Sequence, residues 1–263
     1  MIEYVNRISI SEKNERYNAI IQILEEKELP YEIIHQNQER HWVNNIIIPI
    51  NRKAFDKRFV LCAHYDNFDG SCGANDNASG VSILIALASK MIQSNLVNCY
   101  DIVLFDREEV TDRGSEQYIT YLGADNILGA INFDTCGYGN RILLGPTKNS
   151  KQNIFDFITK ECLQKYNIEL IEITPGSDDR SFEEHHIPNL SVCVVPETDI
   201  DTISKIIDYE VSGKNILDCD NIKPPEFIKT VHNGEWDRAS IIEKESLEIV
   251  LDFASEIITL QNK

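Results

Sequence analysis

The segment Phe59-Val60-Leu61-Cys62-Ala63-His64-Tyr65-Asp66 decides how the chain is read. Five apolar residues in succession are consistent with a buried strand, and strands buried on both faces belong to parallel sheets packed between helices. The run then stops at an imidazole and a carboxylate. In open α/β sheets ligands sit beyond the carboxyl ends of the strands. The residues that follow each apolar run are therefore where chemistry is expected.

The same grammar recurs outward from this segment. Asp101 to Phe105 predicts a second buried strand and runs into Asp106-Arg107-Glu108-Glu109. Ile127 to Phe133 predicts a third, ending at Asp134, and Arg141 to Leu144 a fourth. Between the first two lies Gly73-Ala74-Asn75-Asp76-Asn77-Ala78-Ser79-Gly80, opening a helix over 78–92 with Val81, Leu84, Ile85, Ala88 and Ile92 at helical spacing. Upstream, Tyr17, Ile20, Ile21 and Leu24 form one stripe of a helix over 13–27 that Pro30 ends, and strands are expected over 31–34 and 43–50 with a hairpin through 36–41. Downstream, the spacing predicts helices over 152–166, 202–209 and 240–260 and strands over 168–174 and 190–195. This alternation predicts an α/β fold of three layers, a mostly parallel sheet flanked by helices on both faces. No repeat, low-complexity tract or Pro/Gly/Ser linker divides the sequence, so residues 1–263 are expected to form a single catalytic domain. The stretch between Asp134 and Ser177 is too short for a large insertion, and no separate lid domain is expected.

Composition narrows the partners. With 42% apolar and 26% charged residues the chain is globular, which excludes disordered, collagen-like and coiled-coil classes. Lys and Arg number 25 against 43 Asp and Glu, for a net charge of -18. A phosphate backbone needs a positive partner, so neither nucleic acid nor an anionic membrane surface is expected. No apolar run reaches the length of about 18 residues that a membrane helix needs. The start, Met1 to Lys13, lacks a basic segment followed by an apolar run, so no secretory signal is expected. Seven cysteines without a Cys-x-x-Cys pair read mostly as buried thiols in a reducing compartment, with the cytoplasm as the expected location.

The ends of the apolar runs supply His64, Glu109 and Asp134, the turn between the first two supplies Asp76, and His232 sits in a loop before the last helix. Two imidazoles and three carboxylates are a ligand set for zinc or a similar divalent ion. One carboxylate can bridge two ions about 3.5 to 4 Å apart. Asp76 is the bridging candidate, because it lies in a glycine-flanked turn where the backbone can bend sharply. Each ion would then hold one His, one terminal carboxylate and a share of the bridge, with a fourth position open to a shared water or hydroxide. Neighbouring residues at a strand end point in different directions, so Glu109 can face the metal while Glu108 faces the water as a general base. Asp66, two residues after His64, can hold the imidazole N–H and fix its tautomer. His185 and His186 read as loop residues ahead of Ile187-Pro188, and His35 and His41 as surface or strand positions.

The series Ala63-His64-Tyr65-Asp66, Asn75-Asp76-Asn77-Ala78-Ser79-Gly80-Val81, Phe105-Asp106-Arg107-Glu108-Glu109, Asn132-Phe133-Asp134-Thr135 and a late His232 resembles the co-catalytic di-zinc aminopeptidase family. That family includes bacterial leucyl aminopeptidases, glutamate carboxypeptidase II and, more distantly, glutaminyl cyclase. The resemblance covers roughly residues 59–260 and implies a mixed, mostly parallel sheet between helices. It implies two zinc ions per chain, one on His64 and Asp134, the other on Glu109 and His232, with Asp76 shared; cobalt or manganese can take their place. It makes Glu108 the general base and Asp66 the partner of His64. Gly114-Ser115 with Tyr118 resembles the family's Gly-Ser-x-x-Tyr segment. Ser177, Asp178, Asp179 and Phe182 resemble its Ser-Asp-His-x-x-Phe segment, which borders the substrate pocket. Three positions depart from the pattern: Arg107 stands where the family usually has Gly, Asp179 where it has His, and Val231 where some relatives have Tyr.

The implied activity is that of a metal-dependent exopeptidase, an aminopeptidase that removes N-terminal residues from a peptide substrate. A glutaminyl cyclase-like single-zinc acyl transferase and a non-catalytic binding member of the fold are the alternatives. Asp76-Asn77-Ala78-Ser79-Gly80 fits the peptidases better than the cyclases, which tend to have Asp-Ser there. Non-catalytic members typically lose ligands, whereas all five ligand candidates and Glu108 are present here. Apolar helix faces leave room for a homo-oligomer.

Overall fold

The computed structural model describes residues 1–38, 41–52, 57–110, 114–146, 158–212, 223–232 and 234–262. Helices α1 (Ile2–Ile8) and α2 (Lys13–Glu26) precede the hairpin β1 (Glu32–Gln38) and β2 (His41–Ile50), then β3 (Arg58–His64), α3 (Ser79–Ile92) and β4 (Cys99–Phe105). They are followed by α4 (Gly114–Leu122), β5 (Ile127–Phe133), β6 (Arg141–Gly145), α5 (Lys160–Lys165) and β7 (Ile168–Leu170). The chain continues through α6 (Asp179–Glu184), β8 (Asn189–Val195), α7 (Ile200–Val211) and α8 (Lys244–Gln261). The strands form an eight-stranded sheet in the order β1-β2-β4-β3-β5-β8-β6-β7.

The central strands β4, β3, β5 and β8 run parallel, while β2 joins β4, and β6 joins β8, antiparallel. The sheet is thus mixed and mostly parallel, as expected. Its two faces are both covered. Leu61, Ala63, Ile102 and Leu104 face a core with Ile20, Leu84 and Val250 from α2, α3 and α8. The alternate residues Val60, Cys62, Val103 and Phe105 face Tyr118, Ile119 and Phe182 from α4 and α6. This is why the apolar runs are continuous rather than alternating. Each such Val, Leu, Ile or Phe side chain, fully buried, contributes about 1.5 to 3 kcal/mol of apolar transfer. Asp101 sits in β4 without exposure, and the charge is matched by Arg52 at 2.8 Å, Arg58 at 3.3 Å and the Tyr118 hydroxyl at 2.7 Å.

Register places the site. His64 pairs with Phe105, and Cys62 with Asn132. The carboxyl ends of β3, β4 and β5 therefore lie level. The Tyr65 N–H donates to the Phe105 carbonyl at 2.7 Å and extends the ladder one step beyond β3.

Several boundaries differ from the sequence reading. Of the helix expected over 152–166, residues 152–157 lie outside the described residues, and the described part runs from Lys160 to Lys165. Thr159 starts it, its hydroxyl accepting the Cys162 N–H at 3.3 Å. The strand expected over 168–174 pairs only through Leu170, because β7 is an edge strand with β6 as its one neighbour. The turn of the expected hairpin at 39–40 lies outside the described residues. Helices α1, α4 and α6 add to the elements that the sequence pattern predicts. Cys62, Cys99, Cys136 and Cys162 are buried, Cys193 is half-buried and Cys72 is exposed. No helix of the described residues is long and apolar enough to cross a membrane.

Candidate metal centre

The loop from Ala74 to Ala78 is wholly buried and departs from helical geometry at Asp76 and Asn77. Its shape follows from its side chains. Asn77 Nδ2 donates to the Phe133 carbonyl at 2.8 Å and its Oδ1 accepts the Gly80 N–H at 3.0 Å. Asn75 Oδ1 accepts the Gly137 N–H at 2.7 Å and Nδ2 donates to Thr230 Oγ1 at 2.8 Å. Any Cβ at Gly80 would lie 2.5 Å from Asn77 Oδ1 and from the Phe133 carbonyl, so only glycine lets α3 approach β5 this closely. The asparagines thus fasten the turn to its neighbours and leave the Asp76 carboxylate to face the strand ends.

Four strand-end or turn donors and one from a distant loop converge there. His64 Nε2 lies 3.2 Å from Asp76 Oδ1 and 3.5 Å from Asp134 Oδ1. His232 Nε2 lies 3.6 Å from Glu109 Oε2. His64, Asp76 and Asp134 offer one set of ligand atoms within 4.8 Å of one another, and Asp76, Glu109 and His232 offer another. Asp76 belongs to both sets. A third set joins His64 to Glu108 and Glu109.

The donor set fits a cation on physical grounds. Among the described residues, His64 Nε2, Asp134 Oδ1 and Glu109 Oε1 are buried and make no hydrogen bond of acceptable geometry, despite the close approach of the carboxylates to the imidazole. Buried polar atoms are rarely left so, because each forfeits its hydration. Burial pushes Glu108 up to about 9 and Glu109 up to about 8, nearby carboxylates adding to the effect against the opposing pull of His64. Burial also opposes charge on His64 and on Asp134, but their mutual attraction wins: His64 is held well above its ordinary value and Asp134 below its own. Divalent cations relieve this crowding of negative charge.

Supporting groups hold the donors in place. Asp66 accepts the N–H groups of Glu108 at 3.0 Å and Glu109 at 3.2 Å, while His64 Nδ1 lies 3.3 Å from the Asp66 carbonyl and 3.5 Å from its Oδ1. Asp66 therefore braces the double Glu as well as facing the imidazole. Asp237 accepts the Asn75 N–H at 2.8 Å, the Asp76 N–H at 3.4 Å and the Ser71 hydroxyl. The His232 N–H donates to Asp76 Oδ2 at 2.8 Å. Phe68 stacks on the His232 ring at 5.1 Å between centroids. Arg16, buried on α2, donates to the carbonyls of Tyr65, Ile8, Cys72 and Gly73. Arg107, Thr135 and His232 have φ of 64°, 53° and 55°. Non-glycine residues in this region are strained, and such strain gathers at functional sites. Arg107 holds by constraint a conformation that a glycine would adopt freely.

A cavity of about 300 Å³ opens beside the cluster. Of the four residues expected to border it, Ser177 does. Phe182 is instead fully buried, its ring 6.3 Å from Phe105, because α6 packs that face onto the sheet. Asp178 is also fully buried, and Asp179 turns inward to accept the Ser177 N–H at 3.0 Å and the Thr174 hydroxyl at 2.9 Å. Val192, Cys193, Phe227, Ile228 and Val231 supply the apolar walls. Sequence reasoning missed Asp237, Phe68, Arg16 and these walls. Only Arg16 left a usable signal: it lies one turn before Ile20 on the buried stripe of α2.

Residues 45–257 match the family model described as peptidase family M28. Among curated proteins, a vacuolar membrane protease from Yarrowia lipolytica is 26% identical over 106 residues, covering 38% of this chain and 11% of that protein. Among solved structures, the glutaminyl cyclase of Porphyromonas gingivalis superposes with a TM-score of 0.70 at 16% identity, covering 99% of this chain and 96% of the other. LapA aminopeptidase of Legionella pneumophila gives 0.69 at 16% identity, with 99% and 68% coverage. BSAP, a zinc aminopeptidase from Bacillus subtilis, gives 0.64 at 18% identity; this chain is covered over 84% of its length but spans only 50% of BSAP. At such identities the structures share a fold with this chain, whereas the family model matches most of its length: the chain belongs to peptidase family M28.

Proposed function

We propose that the chain is an aminopeptidase that removes N-terminal residues from peptides with two zinc ions. The observation that carries this reading is the pair of donor sets with Asp76 common to both. His64 and Asp134 would hold one ion, Glu109 and His232 the other, and Asp76 both. Zinc, when bound, supplies Lewis acidity and lowers the pKa of water towards about 7; cobalt or manganese would serve in its place.

The chain's own residues do the rest. Glu108 lines the cavity with its N–H fixed by Asp66. It takes the proton from the attacking water and passes it to the departing amine. Asp66 keeps His64 and the double Glu in register. The carboxylates around the cavity favour a substrate with a cationic amino terminus. Residues 1–263 act as one catalytic unit. The expected outcome for Glu108→Gln is retained zinc and loss of nearly all hydrolysis of an aminoacyl-p-nitroanilide. Equal turnover by the variant would overturn the assignment of the base.

A second reading, intramolecular acyl transfer, draws on the nearly complete mutual coverage with the P. gingivalis glutaminyl cyclase. Incubation with a glutaminyl peptide separates the two: release of free glutamine supports the aminopeptidase, and ring closure with loss of ammonia supports the cyclase.

A further inference from the structure

The donor cluster opens in two directions. One is the apolar cavity walled by Val192 and Phe227. The other is a wider cleft of about 560 Å³ that shares Glu108, Gly176, Ser177 and His232 with it and runs on to Arg180. A peptide lying across Glu108 and His232 therefore puts one side of the scissile bond into the apolar cavity. The other side enters the cleft that holds Arg180.

Arg180 is exposed on α6 and forms no ion pair or side-chain hydrogen bond among the described residues. That is unusual in a chain with 43 acidic residues against 25 basic ones. Glu184, which lines the same cleft, is engaged in an interaction of its own. The guanidinium lies directly over the backbone of residue 176: a Cβ there would fall 1.6 Å from Arg180 Nε and 1.8 Å from Cζ. A glycine is what lets the group rest at the mouth of the site. A guanidinium carries five N–H donors in a planar fork that matches a carboxylate.

We propose that Arg180 binds a carboxylate on the leaving side of the scissile bond, so that the enzyme selects substrates carrying a negative charge on the residue after the cut. This rests on the aminopeptidase reading. Two sources share the chemistry, the α-carboxylate of a dipeptide and an acidic side chain. Leu-Gly against Leu-Gly-amide probes the first, and Leu-Glu-amide against Leu-Gln-amide the second.

The wild-type protein loaded with zinc is expected to prefer the charged member of at least one pair by about ten- to hundredfold in kcat/KM, chiefly through KM, as for a hydrogen bond to a charged group. Arg180→Ala should bring that ratio close to one. Gly176→Ala should do the same by pushing the guanidinium aside while keeping its charge. Calorimetric titration of Glu108→Gln with the same pairs reads the preference as binding, without turnover. Which pair shows the preference identifies the source. A wild-type enzyme that hydrolyses both members equally, or a ratio unmoved in Arg180→Ala, overturns the proposal while leaving the aminopeptidase standing. Absence of hydrolysis of every one of these peptides sinks the aminopeptidase reading and the role of Arg180 with it.

Discussion

Replacing Arg16 with methionine would remove a buried cation that ties the chain just after His64 to the turn just before Asp76. Its guanidinium donates to Ile8 O at 3.0 Å, Cys72 O at 2.9 Å, Gly73 O at 3.0 Å and the Tyr65 carbonyl. Burial pushes its pKa down to about 10, with Asp237, Asp66, Asp76 and Glu109 drawing it back up, so it is charged at neutral pH. Each carbonyl left buried without a donor costs about 1 to 3 kcal/mol. Relaxation and the burial of the methionine side chain offset part of this. A net loss of about 4 kcal/mol is expected, in the range found when one partner of a buried charged group is removed. For 263 residues the unfolding entropy is about 0.55 kcal/mol/K, so Tm should fall by about 7 °C. Differential scanning calorimetry on zinc-loaded protein reads this shift. A zinc titration of the variant should also show about ten- to hundredfold weaker binding, because Tyr65 and Gly73 flank the donors. Arg16→Lys, with fewer donors in a different geometry, should fall between the two. A fall in Tm under about 2 °C, with zinc affinity unchanged, would refute the idea that Arg16 clamps the site.

Two further outcomes are expected. Arg107→Gly relieves a left-handed φ of 64° at some cost in unfolded-state entropy, for a net gain of up to about 1 kcal/mol; a lower denaturant midpoint would show that the arginine's contacts outweigh its strain. Phe68→Ala removes the ring stacked on His232, whose side chain is 60% exposed. It should weaken one of two zinc-binding events about tenfold and spare the other, and equal weakening of both in a calorimetric titration would contradict the division of ligands.

Much of this architecture was legible because burial on both faces of a sheet leaves an unmistakable trace. Phe59 to Ala63, Ile102 to Phe105 and Ile127 to Phe133 are apolar runs broken only at Gly129 and Asn132, and the residues just after them are polar where solvent or a ligand must be met. The register that levels β3, β4 and β5 then brings their ends together. Groups whose role depends on distant packing were not legible. Helices α4 and α6 are short and lack a long periodic stripe, so Phe182 could be taken for a pocket residue when it belongs to the core. The walls Val192 and Phe227 are ordinary apolar residues until the fold turns them towards the cavity. Asp237 carries no motif, because its value lies in accepting N–H groups from a loop more than 150 positions away in the chain.

The two-ion centre is tested by elemental analysis of the purified protein, equilibrated with zinc and freed of excess by dialysis. Two zinc ions per chain are expected, falling to one in His64→Ala and to one in His232→Ala. A stoichiometry of one or none in the wild-type protein, with the fold intact by circular dichroism, would contradict the two-ion centre.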